Sequence, residues 1–220
     1  MANQSEVMQT ELLAGNDKNN ELLASGESLL SEEQHYRSGA YGVLAALLGK
    51  TPDRAMLDRI AGFSSIDQSG GEMALSMSML GLAAATCQPE SIDDEFHDLF
   101  IGLGRGELVP YGSWYLTGFL MERPLGRLRD DLASMGFQRD ADCHVPEDHV
   151  AALCEVMQML IIDNQSHEQQ ADFFNTHMSG WVKRFATDLS EAKSAVFYRA
   201  VGRFAIAFFE LETRYLAMQV

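Results

Sequence analysis

The sequence contains few cysteines, no long apolar run and no targeting segment. Its three cysteines, Cys87, Cys143 and Cys154, form no CxxC pair, and such an odd, sparse set argues against a disulfide framework. No apolar stretch approaches the ~20 residues that a membrane-spanning helix needs. Residues 1–20 lack the basic start and apolar core of a signal peptide. We therefore expect a cytoplasmic protein that does not insert into membranes.

Basic residues are also scarce. The chain has 16 Lys and Arg against 32 Asp and Glu, which gives a net charge of −16. A field of that sign repels phosphate backbones, so nucleic acid is excluded as a favoured partner, whereas cations and basic peptides are attracted. Because many soluble proteins are acidic for solubility alone, the charge permits a basic partner without requiring one.

What the sequence does contain is helical periodicity. Apolar residues recur at steps of three and four along most of the chain, and no stretch alternates as a strand would. With 46% hydrophobic residues the chain can build a core without metal or disulfides. We predict an all-α protein, a single bundle-like domain of about nine or ten helices. Its expected parts are a loose tail (1–30), an N-terminal lobe (31–136), a connector or hinge (137–145) and a C-terminal lobe (146–220).

A glycine-rich run, Gly102-Leu-Gly104-Arg-Gly106, has the composition of a phosphate-binding loop. Such loops work at a strand-to-helix turn, where backbone N–H groups meet an anion. Here no strand precedes the run, its spacing is not GxGxxG, and no GK[ST] follows. A turn leaving a helix is the better interpretation, and a nucleotide-binding regulator stays an alternative.

The pair His97-Asp98 suggests a metal-dependent phosphohydrolase of the HD type. That chemistry needs a further histidine and a distant aspartate around the metal. His35 and Asp148 could nominally supply them, although no second spacing supports the idea. The phosphohydrolase is therefore the second hypothesis for the function.

A dense polar cluster consists of Cys143, His144, Asp148 and His149, without the paired spacing of a zinc site, so we expect no metal. Pro146 suits the first position of a helix, which places Asp148 in its first turn, where the helix dipole favours anions. On that helix Asp148 points away from the apolar stripe. We interpret it as a carboxylate displayed at the surface that can meet an arginine of another chain.

Four aromatic residues follow the glycine run: Tyr111, Trp114, Tyr115 and Phe119. For Phe119 we expect packing in the core. Tyrosine and tryptophan beside a loop are typical anchors for a bound peptide, so the other three are candidate binding residues.

Two motifs resemble one family. Residues 144–149 (HVPEDH), followed by LCEVM at 153–157, resemble the ExPxDHxxxxLxxM signature of the TorD/DmsD/NarJ chaperones, with His144 or Cys143 in place of the first glutamate. Residues 96–115, from FHDLFIGLG to VPYGSWY, are similar to the family's LF-G…PY-S-Y segment. The overall similarity covers about residues 33–212.

The resemblance implies a cytoplasmic chaperone of redox-enzyme maturation (Tat proofreading) that catalyses nothing and needs no cofactor of its own. Its partners would be the twin-arginine leader and the apo-form of a molybdopterin-containing enzyme, held until cofactor insertion and Tat export. It would be a monomer or a lobe-exchanged homodimer with 137–145 as the hinge. Carried over by position, the peptide-binding residues are Asp148, His149, Pro146, Tyr111, Ser113, Trp114, Tyr115 and Phe100.

Overall fold

The computed structural model describes residues 30–102, 105–138 and 144–218. The predicted tail, apart from residue 30, lies outside these ranges, as do Cys143 and the middle of the glycine run. The described chain forms two units, a short stretch that ends at Tyr36 and a body that begins at Arg37.

The prediction of an all-α fold is confirmed. Within the described ranges there are ten α-helices and no strand, and the nearest approach to a sheet is one isolated bridge between Tyr111 and His149. No helix in these ranges has both the length and the apolar character needed to cross a bilayer. The helices are α1 (Glu32–Gly49), α2 (Arg54–Ala61), α3 (Gly71–Thr86), α4 (Pro89–Phe96), α5 (Gly112–Thr117), α6 (Arg123–Ser134), α7 (Val150–Ile162), α8 (His167–His177), α9 (Val182–Glu191) and α10 (Phe197–Leu216).

Side-chain caps set several of the helix starts. Before α1 the predicted capping box forms, because the Ser31 hydroxyl accepts the Gln34 N–H at 3.2 Å and the Gln34 side chain accepts the Ser31 N–H at 2.8 Å. Ser166 begins α8 with a second such box. The pair Thr51-Pro52 predicts Thr51 as the cap of α2, but the cap is Asp53, whose carboxylate accepts the Met56 N–H at 2.8 Å.

The last helix, α10, lies at the centre of the body. It packs against α3, α4, α8 and α9. Helical spacing predicts an apolar stripe of Phe197, Val201, Phe204, Phe208 and Leu211 on α10. All are buried except Leu211, which is 41% exposed. Burying large rings contributes much of the free energy of a core. The largest buried aromatic side chains of α9, α10 and the turn before α9 are Trp181, Phe185, Phe197, Tyr198, Phe204 and Phe209.

A buried ion pair ties α1 to α10. Arg37 Nε lies 2.7 Å from Glu212 Oε1, and the Tyr41 hydroxyl donates to Glu212 Oε2 at 3.0 Å. Gln170 accepts from Arg37 Nη1 at 2.8 Å, so the pair is hydrogen-bonded on several sides. A buried ion pair is tolerated when its charged groups have hydrogen-bond partners, as Arg37 and Glu212 do.

Carboxylates from the first half of the body also cap the beginning of α10 and the turn before it. Glu95 accepts three backbone N–H groups, those of Val196 and Tyr198 at 2.8 and 2.7 Å and that of Phe197 at 3.0 Å. Glu107 accepts two more in the turn that follows α9. Contacts of this kind join segments on both sides of residues 137–145, and the division into two lobes stays a prediction.

Candidate functional site

The two family-like motifs meet at one short backbone clamp. Gly112 N–H donates to the Asp148 carbonyl at 2.9 Å, and Val150 N–H donates to the Pro110 carbonyl at 2.9 Å. The Tyr111 ring meets the His149 imidazole edge-on, with centroids 5.0 Å apart. As a result the first residues of α5 and α7 lie side by side.

The prediction that Asp148 is displayed at the surface is wrong. Helix α7 begins at Val150 rather than at Pro146, so Asp148 lies in the turn before the helix and the helical-wheel argument does not apply to it. The residue is only 3% exposed, and its Oδ2 accepts the Ser113 N–H at 2.7 Å. That N–H belongs to the first turn of α5, where backbone donors lack helical partners. The carboxylate is therefore drawn inward.

The second oxygen of the Asp148 carboxylate, Oδ1, differs from Oδ2 in its hydrogen bonding. Asp148 Oδ1 is buried and has no hydrogen-bond partner among the described residues, and the same is true of the Ser113 hydroxyl. Asp148 lines a cleft of about 490 Å³, which we name the Asp148 cleft. A buried acceptor without a donor is costly, so such an atom at the wall of a cleft marks a place where a ligand donor is favoured. The remaining lining residues are Gly112, Leu116, Thr117, Arg123, Pro124, Arg127, Leu128, Leu153, Thr176 and His177.

His149 is a cap of α7 and not a charged group. Its Nδ1 accepts the Ala151 N–H at 3.1 Å, which requires an unprotonated nitrogen at that position. Burial lowers the pKa of His149 to about 4, so the ring is neutral at pH 7. His149 therefore shapes the turn that holds Asp148 and adds no charge to the cleft.

Sequence reasoning missed the cationic side of this cleft. Arg123 and Arg127, one turn apart on α6, line it together with His177 of α8. His177 Nε2 lies 2.8 Å from Asp131 Oδ2; burial lowers the pKa of His177, and Asp131 offsets only part of that effect. The sequence alone predicts the Arg127–Asp131 contact on α6, because residues four apart lie on the same helix face. Nothing local connects Asp131 to His177, which is 46 residues away.

Trp114 and Tyr115 line a different cleft, on another face of α5, which we name the Trp114 cleft. Its volume is about 320 Å³. The Arg105 guanidinium lies 4.4 Å from the Trp114 ring centroid and that of Arg184 lies 4.9 Å from the Tyr115 centroid. Trp114 and Tyr115 thus line one cleft and Asp148 the other, while Tyr111 lines neither, so these predicted residues do not form one pocket. The other lining residues are Glu107, Leu108, Val109 and Asp188.

Two more predicted residues have other surroundings. Phe100 is half-buried and packs edge-on against Phe96 and Tyr198, with centroids 5.0 and 5.5 Å apart, and it lines neither cleft. Pro146 is half-buried in the turn before Asp148. The roles of both in peptide binding stay predictions.

The prediction that Phe119 packs in the core is wrong. Gly118, in the left-handed conformation with φ 85°, ends α5 at Thr117, and the chain after it turns outward. The apolar loop (residues 116–121, which include the last two residues of α5) exposes four large side chains next to the Asp148 cleft, which Leu116 also lines. Their exposures are 47% for Leu116, 68% for Phe119, 48% for Leu120 and 73% for Met121.

His97 and Asp98 lie on an exposed π-helical turn, His97–Ile101. Among the described residues no three potential ligands of the His, Cys, Asp and Glu types come together in a way that could hold a metal ion. In that part of the chain the ligand set that the phosphohydrolase hypothesis requires is not assembled.

The protein is thus a helical body with two clefts beside one short helix, α5. The family model of the nitrate reductase delta subunit matches residues 69–187, more than half of the chain, and the chain belongs to this family, the TorD/NarJ family. The resemblance noted in the sequence is thereby confirmed.

Relatives with curated names point in the same direction. The chaperone protein TorD of Aliivibrio salmonicida is 28% identical over 135 residues, which are 56% of this chain and 63% of that protein. TorD of Vibrio parahaemolyticus is 28% identical over 134 residues, 56% of this chain and 62% of that one. The match thus spans less than two thirds of these relatives.

A solved structure shares the fold. A protein from Archaeoglobus fulgidus described as a redox enzyme maturation protein superimposes with a TM-score of 0.54 at 15% identity. The superposition covers 84% of this chain and 98% of that one, so the similarity extends over nearly the whole of the described body.

Proposed function

We propose that this protein is a cytoplasmic chaperone that binds the twin-arginine leader of a molybdopterin-containing enzyme precursor at the Asp148 cleft and holds the apo-form until cofactor insertion and Tat export. The observation that carries this proposal is the unpartnered Oδ1 of Asp148, a buried residue that lines the cleft. The names of the relatives support a chaperone, which acts by binding and not by catalysis.

An arginine is the donor that fits this oxygen. The bond from Ser113 N–H fixes Oδ2, so the direction of the Oδ1 lone pairs is fixed as well. A guanidinium that donates to Oδ1 forms a charge-assisted hydrogen bond in a largely dry setting, where such bonds are strongest. It also removes the cost of leaving a carboxylate oxygen buried without a donor.

The apolar loop (residues 116–121) fits the apolar part of such a leader. Four large side chains exposed together form a patch that soluble proteins normally use for contact with a partner. Because Leu116 belongs both to this loop and to the cleft, a peptide whose arginine reaches Asp148 can lay its apolar stretch on the loop without a gap.

The charge of the molecule adds to this recognition, since a net charge of −16 attracts a basic segment from a distance. Arg123 and Arg127, however, line the Asp148 cleft itself. Since Asp148 is the single acidic residue among those that line the cleft, the cleft can pair with one arginine of the leader and not with both.

The test is calorimetry with a synthetic peptide that carries two adjacent arginines followed by an apolar stretch. In Asp148→Asn the side chain keeps its shape and can still accept the Ser113 N–H, but the charge is lost. We expect its affinity to fall about 10- to 100-fold, which corresponds to the ~1.5–3 kcal/mol of a hydrogen bond to a charged group.

Asp98→Asn is the matched control, because it removes the same charge from an exposed site. It should bind like the unaltered protein, and circular dichroism should show both variants folded. Equal affinities for Asp148→Asn and Asp98→Asn would remove Asp148 from the binding site.

A further inference from the structure

The Trp114 cleft already contains two arginines of the chain itself, each placed over an aromatic ring. Arg184 is doubly held, because its Nη2 also donates to the Tyr115 carbonyl. Arg105 has neither an ion pair nor a hydrogen bond among the described residues, and its position over Trp114 depends on the stacking contact alone. Of the two guanidiniums, that of Arg105 is therefore the one that can be replaced.

Replacing the side chain of Arg105 does not require the backbone to move. Two and three residues after it, the Glu107 N–H donates to the Asp98 carbonyl at 3.1 Å and the Leu108 N–H to the Leu99 carbonyl at 2.8 Å. The segment is thus held in place, and rotation about the side-chain bonds of Arg105 is enough to uncover the Trp114 ring.

The charges around Trp114 favour a cation. Glu107 and Asp188 line the cleft together with Arg105 and Arg184, so the four charges balance while Arg105 is in place. The Glu107 carboxylate accepts the Lys193 and Ser194 N–H groups, which lower its pKa and keep it ionised. Asp188 accepts the Tyr115 hydroxyl at 2.9 Å. Once Arg105 leaves, two carboxylates face a single arginine.

We propose that the Trp114 cleft is a second arginine-binding site, whose aromatic face is covered by Arg105 in the free protein and by an arginine of the client once the client is bound. This proposal rests on the proposed function and assigns the second basic residue of the same leader. Adjacent side chains of an extended peptide point in opposite directions. That geometry suits two clefts on different faces of one short helix, and it keeps the second arginine away from Arg123 and Arg127.

The first experiment measures the affinity of the twin-arginine peptide for Arg105→Ala by calorimetry. Without its internal competitor the protein should bind about 2- to 5-fold more tightly, the size of one exposed cation–π contact. Arg199→Ala, which removes the same charge from an exposed position on α10, is the control and should show no such gain. Arg105→Lys keeps the charge but loses the planar group, and should fall between the two.

The second experiment uses the fluorescence of Trp114. The other tryptophan, Trp181, is only 1% exposed, so acrylamide quenching reports on Trp114. Quenching should increase in Arg105→Ala and decrease again when the twin-arginine peptide is added. A peptide with citrulline in place of both arginines has the same shape without the charge and should not protect the ring.

The outcomes separate the two proposals. If Arg105→Ala binds no more tightly than Arg199→Ala while Asp148→Asn loses affinity, the second site is refuted and the Asp148 cleft stands. If the peptide binds neither the unaltered protein nor Arg105→Ala, the proposed function fails, and the second site fails with it.

Discussion

At the scale of single residues, His149 links the candidate site to the stability of the fold. It is a half-buried, neutral histidine that caps α7, and its folded-state pKa of about 4 lies below the ordinary value of 6.5. Between pH 6.5 and pH 4 the His149 ring binds a proton in the unfolded chain but not in the folded protein. Stability that is complete above pH 6.5 is therefore lost as the pH falls towards 4.

His149→Asn tests this link, because asparagine is also a good helix cap but does not titrate. Between pH 7 and pH 5 the unaltered protein should lose about 2 kcal/mol more free energy of unfolding than the variant, at about 1.4 kcal/mol per pH unit below 6.5. Urea unfolding at the two pH values measures the difference.

His97→Asn is the matched control, since its ring is exposed. It should show the same pH dependence as the unaltered protein. If His149→Asn lost as much stability as the unaltered protein over this range, the histidine would have to be protonated in the fold.

The sequence did not reveal the orientation of Asp148. The clamp between Pro110–Gly112 and Asp148–Val150 brings it beside the aromatic segment, and its role in peptide binding stays a prediction. Its burial depends on the Ser113 N–H, 35 residues away, which no local pattern reveals. The prediction for Phe119 was wrong for a local reason. Gly118, a single left-handed glycine, ends α5, and the apolar residue after it is exposed instead of buried.

At the scale of helices, the start of α10 depends on a carboxylate from another helix. Glu95, at the end of α4, is only 8% exposed and accepts the three N–H groups at the beginning of α10. These are donors that a helix leaves unpaired, and a negative charge also suits the positive end of the helix dipole. The beginning of the central helix is thus fixed by tertiary contact, and no residue of its own sequence caps it.

Glu95→Ala should lower the free energy of unfolding by about 2–4 kcal/mol, because buried N–H groups lose a charged acceptor. Glu107→Ala provides the comparison, since this glutamate accepts two N–H groups but is exposed. Its cost should stay below about 1 kcal/mol, as solvent can replace the carboxylate. Chemical denaturation of both variants measures the costs, and equal costs would show that the Glu95 bonds do not stabilise the start of α10.

Helices were easier to predict than their ends. Periodicity and capping patterns identified most elements, because the apolar face and the cap are local features. Periodicity predicted one final helix from about Ser190, whereas α9 ends at Glu191 and α10 begins at Phe197, because residues 192–196 leave the helical conformation. That break is stabilised by Glu95 and Glu107, which lie far away in the sequence.

At the scale of the whole molecule, charge should act on the encounter with the client more than on the final contact. Exposed charges are screened by salt within about 10 Å at 0.1 M, whereas a buried contact is screened much less. Raising the salt concentration from about 0.05 M to about 0.5 M should therefore weaken binding of the twin-arginine peptide several-fold, mainly through a slower association rate.

Stopped-flow fluorescence at the two salt concentrations gives that rate. Asp148→Asn should keep nearly the same dependence on salt, because the buried carboxylate contributes little to the long-range field. Affinity independent of salt would indicate recognition by apolar contact alone.

The contact between Glu95 and α10 has a consequence for assembly. The carboxylate precedes the connector and the amides follow it, so a dimer formed by lobe exchange about residues 137–145 would keep the same bonds with their two halves on different protomers. In that dimer Glu95→Ala would weaken association, and its cost would grow as the protein is diluted; in a monomer, dilution would leave the cost unchanged. A dilution series with one variant would then distinguish the two states without a second structure.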